Sequence, residues 1–188
     1  GEKNCPVAAV VREQGTNGDR EMAHCLDLAG FAVKDVAMSD LVSGREDLSS
    51  ANLVVFPGGF ANSDVLGAGR GWAGVFRHNR RAMEVLERFF SRADTLSLSV
   101  CNGCQLMVSL QLLYPEHQRQ SYMQHNRSEK FESCFVNVTV QPTNSVFLKG
   151  LAGSRLGVWV AHGEGNFSLP EGESAYDIPL KYSYSFYP

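Results

Sequence analysis

Cys101 stands where the sequence changes from a strand pattern to a helix pattern, a position at which a thiol can act as a nucleophile. Residues 95–100 are rich in β-forming types. The apolar residues after the cysteine have the spacing of one helix face: Leu106, Met107, Leu110 and Leu113. A cysteine at such a turn has its side chain raised out of the chain, and the N–H groups of the new helix favour a thiolate and a developing oxyanion. Gly103 lets the turn close tightly, as in a nucleophile elbow.

A second motif that could serve the same chemistry is the glycine pair within 56–60, Phe-Pro-Gly-Gly-Phe. It directly follows 52–56, a short apolar run that predicts a buried strand. Adjacent glycines let the backbone present N–H groups to a ligand, although a plain turn is the commoner role of such a pair. Ligands of a doubly wound sheet bind at the C-terminal strand ends, so we expect this loop and the Cys101 elbow to share one edge. A nucleophile beside an N–H cradle is the arrangement that acyl transfer requires.

The elements that must position these motifs predict an α/β fold with a doubly wound, mostly parallel sheet. Residues 7–11 are a continuous apolar run typical of a central parallel strand, and the polar loop 12–19 must lie at its C-terminal edge. A helix over 20–29 ends at Gly30 and should turn four residues inward: Met22, Cys25, Leu26 and Leu28. The other predicted elements are a strand over 31–38, a helical turn within 39–50, a mobile glycine-rich segment over 61–73, a long helix over 72–90, strands over 134–140 and 156–161, and an edge strand within 178–184.

Length and composition limit the classes of protein to which the chain can belong. Its 188 residues, 44% hydrophobic and 20% charged, can bury one substantial core and predict one domain over 1–188. A formal net charge of -3 without a basic run argues against nucleic-acid binding, and no segment has the length and apolarity of a membrane span. Five cysteines, an odd number, indicate reduced thiols and not a disulfide framework. We therefore expect a soluble, cytoplasmic protein that binds neither nucleic acid nor membrane.

Two other roles are conceivable for Cys101: a purely structural one, and one in a metal or redox site. Many cysteines are small buried hydrophobes, but the strand, cysteine, glycine and helix occur together here and favour a nucleophile. Cys101 and Cys104 with His125 and His162 could also be imagined as a zinc site. No second Cys-x-x-Cys follows, the helix is apolar directly after Cys104, and the context of a thioredoxin-like redox pair is missing. The sequence favours a domain without a metal, in which Cys104 faces the core.

Four segments in this order resemble one enzyme family: Arg-Glu-Gln-Gly-Thr-Asn-Gly-Asp-Arg-Glu-Met at 12–22, Pro-Gly-Gly-Phe-Ala-Asn-Ser-Asp-Val-Leu-Gly at 57–67, Cys-Asn-Gly-Cys-Gln at 101–105 and Ala-His-Gly-Glu-Gly at 161–165. They are similar to the class I glutamine amidotransferase (glutaminase) domain that closes the large, single-chain phosphoribosylformylglycinamidine synthases. The resemblance implies a flavodoxin-like fold and an ATP-dependent ligase of purine biosynthesis. L-glutamine would be hydrolysed through a cysteine thioester, and the ammonia would pass to synthetase domains of the same polypeptide, where formylglycinamide ribonucleotide becomes its amidine. No cofactor is implied in this domain, whereas ATP and Mg are expected in the synthetase part.

The resemblance also assigns roles to individual residues. Cys101 would be the nucleophile that forms the γ-glutamyl thioester. The oxyanion hole would consist of the Gly59 and Phe60 backbone and the N–H of Asn102. The residues that would hold the glutamine are Gly58, Gln105, His125 and Asn126.

The catalytic base of the family has no counterpart among the motifs of this sequence. In the family the histidine and glutamate of the triad come from a Pro-His-Pro-Glu-Arg motif near the C-terminus, and this sequence contains no such run. His162 and Glu164 are an alternative, since residues two apart in a strand point to one face and the carboxylate could orient the imidazole. The family has this His-Gly-Glu-Gly motif in addition to the triad, so we expect the two residues to line the site or to contact the synthetase part.

Two hypotheses follow, which differ in whether the chain catalyses a reaction. The first is a glutaminase domain, incomplete at its C-terminus, whose 188 residues alone should hydrolyse glutamine only slowly. The second is a non-catalytic docking or structural module of the same fold. The absent base leaves the second open, as does Ser99, which replaces the glycine that the family elbow usually has two residues before the cysteine. A serine is small enough for that position but should add local strain.

Overall fold

Four parallel strands form the centre of the first of two compact units in this computed structural model, which describes residues 5–184. The boundary between the units falls between Leu113 and Tyr114. In chain order the strands are β1 (Val7–Arg12), β2 (Ala32–Ala37), β3 (Leu53–Phe56) and β4 (Leu96–Ser99), and their order in the sheet is β2-β1-β3-β4. Phe56 is the register partner of Ser99, so the loops that leave β3 and β4 start side by side.

Within residues 5–113, five helices cover this sheet: α1 (Asp19–Leu28), α2 (Met38–Ser43), α3 (Arg70–Arg77), α4 (Arg80–Phe90) and α5 (Asn102–Ser109). Alternate residues of β1 enter two separate cores. Ala9 and Val11 join the larger core with residues of α2, α3, α4 and α5, whereas Ala8 and Val10 join the smaller core with Leu26 of α1. Both faces of the sheet are therefore buried, which confirms the predicted doubly wound α/β arrangement.

The single long helix predicted over 72–90 is wrong, because α3 ends at Arg77 and α4 begins at Arg80. Asn79 caps α4, and its side-chain oxygen accepts the N–H of Ala82 at 2.9 Å. Apolar residues on both sides of the break face the same core, so the helical spacing continues across it. The periodicity alone therefore could not reveal where one helix ends and the next begins.

The helix predicted as far as Leu113 ends earlier, and its final turn explains why. Gln111 has a φ of 60°, in the left-handed region, although it is not a glycine. Its N–H donates to the carbonyl of Val108, and the N–H of Leu112 donates to Met107 at 3.1 Å, which is the Schellman arrangement of helix ends. Leu113 lies beyond this turn and is exposed.

Two of the four residues predicted to face inward from α1 are exposed. Leu26 is buried and Met22 packs against the same core, but Cys25 and Leu28 face solvent. Leu28 follows Leu26 by two residues, which places it on the opposite side of a helix with 3.6 residues per turn. Only a narrow face of α1 therefore contacts the sheet.

The second unit contains two small antiparallel sheets. One pairs β5 (Tyr122–Gln124) with β8 (Asn166–Ser168). The other consists of β6 (Glu132–Val140), β7 (Arg155–His162) and β9 (Leu180–Tyr182), in the order β7-β6-β9. The predicted strands over 134–140 and 156–161 and the edge strand within 178–184 are confirmed. No helix among residues 5–184 has the length and apolar character required to span a bilayer. That 1–188 forms one domain stays a prediction.

Candidate active site

Cys101 occupies a strained turn between β4 and α5. Its φ is 53° and its ψ is -114°, a conformation that costs a residue with a side chain about 1–3 kcal/mol. Backbone bonds hold both sides of the turn, since the N–H of Val100 donates to Phe56 at 3.0 Å and the N–H of Gln105 donates to the Cys101 carbonyl at 3.0 Å. The Cys101 side chain is exposed. The fold thus maintains an unfavourable backbone in order to present this thiol.

Gly103 brings the start of α5 against the end of β3. A Cβ at Gly103 would lie 2.0 Å from the carbonyl oxygen of Phe56, far inside van der Waals contact. Any side chain there would push the helix away from the strand that carries the glycine pair. The predicted role of Gly103 in closing the elbow is therefore confirmed.

The glycine pair lies next to the thiol, as the shared sheet edge predicts. A Cβ at Gly58 would be 3.0 Å from the Cys101 Cβ and 3.7 Å from its Sγ, so a side chain at this position would crowd the cysteine. Gly59 has a φ of 130° and forms an isolated bridge with Thr16. The loop 12–19 therefore lies at the same edge, also as predicted.

The Phe60 N–H, one of the predicted oxyanion donors, already has an acceptor. It donates to the Gly15 carbonyl at 2.9 Å, which argues against Phe60 as a donor to substrate. The Asn102 N–H belongs to the first residue of α5, where backbone donors have no acceptor within their own helix. The N–H groups of Gly59 and Asn102 remain as candidate donors. That they form an oxyanion hole stays a prediction.

Asn102 and Gln105 form a buried polar pair in the first turns of α5. Their exposed fractions are 2% and 7%. The Asn102 Oδ1 accepts the N–H of Ala61 at 3.1 Å, and its Nδ2 donates to the Gln105 Oε1 at 2.9 Å. The side-chain oxygen of Gln105 therefore already accepts one hydrogen bond, from Asn102. A role of Gln105 in holding glutamine stays a prediction.

Cys104 differs from Cys101 in both environment and acidity. It is partly buried, and burial raises the pKa of its thiol to about 11, with a further increase from the neighbouring Cys101 charge. A thiol with such a pKa carries almost no thiolate near neutral pH, and the thiolate is the nucleophilic form. Of the two cysteines in the motif, Cys101 is the exposed one, and the raised pKa of Cys104 argues against it as a nucleophile.

In the second unit, Asn126 joins two loops through its buried side chain. It is 3% exposed, and its Nδ2 donates to the carbonyls of Lys130 and His162 at 2.9 and 2.7 Å. Its Oδ1 lies 2.8 Å from the His162 Nδ1 and accepts the Gly165 N–H at 3.2 Å. These contacts account for both polar atoms of the side chain, which indicates a structural role. The predicted contact of Asn126 with glutamine remains a prediction.

The geometry around His162 differs from the one that an alternating strand would give. β7 ends at His162, so Glu164 lies beyond the strand, and its Oε1 is 3.7 Å from the His125 Nε2. A Cβ at Gly165 would be 2.1 Å from the His162 ring, which shows that the ring rests on this glycine. Burial lowers the pKa of His162. The prediction that His162 and Glu164 point to one face assumed that both lie in a strand. The structure does not fulfil this condition, because Glu164 lies outside β7.

The predicted site residues thus fall into two groups, one in each unit. The group in the first unit has Cys101, Gly58, Gly59, Asn102 and Gln105 at one sheet edge. Sequence reasoning missed the parts that Ala61 and Gly15 play in that group, because both contribute backbone atoms that their residue types do not indicate. Within residues 5–184, no three His, Cys, Asp or Glu side chains are grouped so that they could hold a metal ion.

A doubly wound sheet with an exposed cysteine at a strand-to-helix turn defines an α/β protein of flavodoxin-like fold. A family model described as the CobB/CobQ-like glutamine amidotransferase domain matches residues 5–183. The chain therefore belongs to this family of glutamine amidotransferase domains.

Two curated relatives and one solved structure agree with this assignment. Phosphoribosylformylglycinamidine synthase of Dictyostelium discoideum is 44% identical over 187 residues, which cover 94% of this chain and 14% of that protein. The probable chloroplastic/mitochondrial phosphoribosylformylglycinamidine synthase of Arabidopsis thaliana is 44% identical over 172 residues, covering 88% of this chain and 12% of that protein. The chain thus spans only a small part of these relatives. A chain of PurLQS from Thermotoga maritima superposes with a TM-score of 0.71 at 25% identity, covering 96% of this chain and 76% of that one.

Proposed function

We propose that the chain hydrolyses L-glutamine through a thioester on Cys101. The thiolate sulfur attacks the side-chain carboxamide carbon, and the C–N bond breaks as the nitrogen takes up a proton and leaves as ammonia. Water then attacks the thioester carbon, the C–S bond breaks, and glutamate leaves while the thiolate is restored. The N–H groups of Gly59 and Asn102 would stabilise the oxyanion of each step. The observation that carries this proposal is the exposed Cys101 thiol on a strained turn, beside the position that a side chain at Gly58 would occupy.

The ammonia would serve the conversion of formylglycinamide ribonucleotide to its amidine. This part of the proposal is supported by the names of the two relatives and by their much greater length. Synthetase domains of the same polypeptide would bind ATP and Mg and carry out the ligation. The histidine and glutamate of the triad would come from a motif that this sequence does not contain. A cytoplasmic location is also a prediction.

Labelling of the full-length protein with a glutamine analogue that carries an electrophilic diazoketone tests the first step. Peptide mass spectrometry should find the adduct on Cys101 and not on Cys104, and excess L-glutamine should prevent it. Cys25 is a matched control, because it is also exposed but lies within α1 without a strained backbone. Label on Cys25 or Cys104 at the same rate would contradict the proposal.

A Cys101→Ala variant of the full-length protein tests the coupling to purine synthesis. It should lose formation of the amidine from glutamine and retain its formation from ammonium salts, because only the glutamine site has changed. Cys25→Ala should retain both activities. Loss of both activities in Cys101→Ala would contradict the proposed role of this residue, which concerns the use of glutamine alone.

The alternative is a non-catalytic docking or structural module of the same fold. The sequence leaves this alternative open, because it contains no Pro-His-Pro-Glu-Arg motif. A full-length protein that uses ammonium salts but not glutamine, and whose Cys101 is not labelled by the diazoketone, would support this alternative.

A further inference from the structure

The Asn102 side chain is buried, although it directly follows the exposed Cys101 thiol. A buried amide is costly unless both of its polar atoms are hydrogen bonded. Here the oxygen accepts the Ala61 N–H at 3.1 Å and the nitrogen donates to Gln105 at 2.9 Å. An apolar residue of similar volume would leave the buried Ala61 N–H without this acceptor. The amide therefore ties the start of α5 to the loop that leaves β3.

The bond to Ala61 joins the two segments that supply the proposed oxyanion donors. Ala61 is 1% exposed and follows Gly59 by two residues in the loop that leaves β3. Asn102 is the first residue of α5 and offers its own N–H at the same edge. One side chain thus links the segment that carries the first donor to the residue that carries the second.

The orientation of this link is fixed by hydrogen-bond chemistry. The Ala61 N–H can only donate, so Asn102 must turn its oxygen toward the loop and its NH₂ group toward Gln105. Gln105 must then present its own carbonyl oxygen to Asn102. Both amides are almost completely buried, so exchange with solvent does not offer them alternative partners. The pair therefore has one arrangement, which suits a rigid spacer.

We infer that the Asn102 side chain positions the two oxyanion donors of the glutaminase site, with Gln105 holding its amide in place. The inference rests on the proposed function and deepens it. Asn102 acts through the Gly59 and Asn102 backbone, so its side chain is a positioning residue. Donors aimed at an oxyanion must be held to within about 0.5 Å, and the oxyanion develops only in the transition state. Loss of the side chain should therefore lower kcat and leave KM nearly unchanged.

Asn102→Leu and Asn102→Ser in the full-length protein test the inference, with glutamate release as the assay. Leucine has a similar volume but no polar atom, and serine is small enough to avoid any clash but too short to reach both partners. Asn52→Leu is the matched control, because the Asn52 Oδ1 also accepts a backbone N–H at 3.1 Å, from Val7, at the opposite end of the sheet. We expect kcat to fall about 10- to 100-fold in both Asn102 variants, with KM within about threefold. Asn52→Leu should leave both constants nearly unchanged.

Alkylation of Cys101 by iodoacetamide separates positioning from simple loss of structure. Displacement of iodide forms no oxyanion, so the Asn102 variants should react at nearly the wild-type rate. A parallel loss of alkylation and turnover, a rise in KM at constant kcat, or a kcat loss no larger than that of Asn52→Leu would each overturn the inference. Undiminished glutamate release by Cys101→Ala would instead overturn the proposed function itself. If Asn102→Leu fails to fold, Asn102→Ser gives the same comparison.

Discussion

Replacement of Cys101 with glycine should stabilise the elbow while it removes the proposed nucleophile. The φ of 53° at Cys101 costs a residue with a Cβ about 1–3 kcal/mol, and glycine adopts it without a steric penalty. Glycine in turn loses more conformational entropy on folding, about 0.5–1 kcal/mol. Cys101→Gly should therefore be more stable than Cys101→Ala, which keeps the strain, by about 0.5–2 kcal/mol. Neither variant has the thiol, so the difference between them reports on the backbone alone.

Hydrogen exchange in the full-length protein measures this local effect. Peptides that cover 95–110 should exchange about 2- to 30-fold more slowly in Cys101→Gly than in Cys101→Ala. The same pair of substitutions at Val100 is the control, because its φ is outside the left-handed region. There glycine should be the less stable variant. The explanation by strain is refuted if glycine at 101 exchanges as fast as alanine, or if both positions respond alike.

Three further predictions concern neighbouring features. Gly103→Ala should destabilise the first unit by about 1–3 kcal/mol or more, because its Cβ would meet the Phe56 carbonyl. A Cβ at Gly74 in α3 would meet nothing within 4 Å, so Gly74→Ala should stabilise the unit by about 0.5–1 kcal/mol. Equal thermal stability of the two variants would disprove this. At pH 8, iodoacetamide should modify Cys101 well before Cys104, whose pKa is about 11, and comparable rates by peptide mass spectrometry would contradict the assignment. His162, whose pKa burial lowers from 6.5, should titrate below that value in an NMR experiment. Its neutral form stabilises the fold above pH 6.5, and this stability should be lost as the pH falls through the lower pKa. A midpoint at or above 6.5 would exclude the effect.

The chemistry-bearing edge of the sheet could be predicted from the sequence because its signals are local. An apolar strand pattern that ends in a cysteine or in two glycines indicates where the chain turns. Parallel strands bring such turns to one edge of the sheet. The resemblance to glutamine amidotransferases rested on the same local motifs. The family assignment and the α/β fold class followed correctly from them.

Features that depend on backbone contacts between distant segments could not be predicted. The residue types do not indicate that the Gly15 carbonyl accepts the Phe60 N–H. They also do not indicate that Gln111, which is not a glycine, ends a helix in the left-handed conformation. The break between α3 and α4 was hidden for a related reason, since the apolar spacing continues through it. The asparagine at position 79 was the available signal, because this residue type favours helix N-termini.

The contacts between loop 12–19, the glycine pair and the Cys101 elbow also have a consequence for the order of events in folding. Three stretches separated by some forty residues each must meet before the sulfur has its neighbours, and they meet only when β1, β3 and β4 have aligned. Parallel pairing of distant strands is slow relative to helix formation because long loops must close first. In a chain emerging from the ribosome Cys101 therefore lacks these neighbours until the sheet is complete, and the arrangement on which the proposed nucleophile depends arises only in molecules that have already reached their native topology.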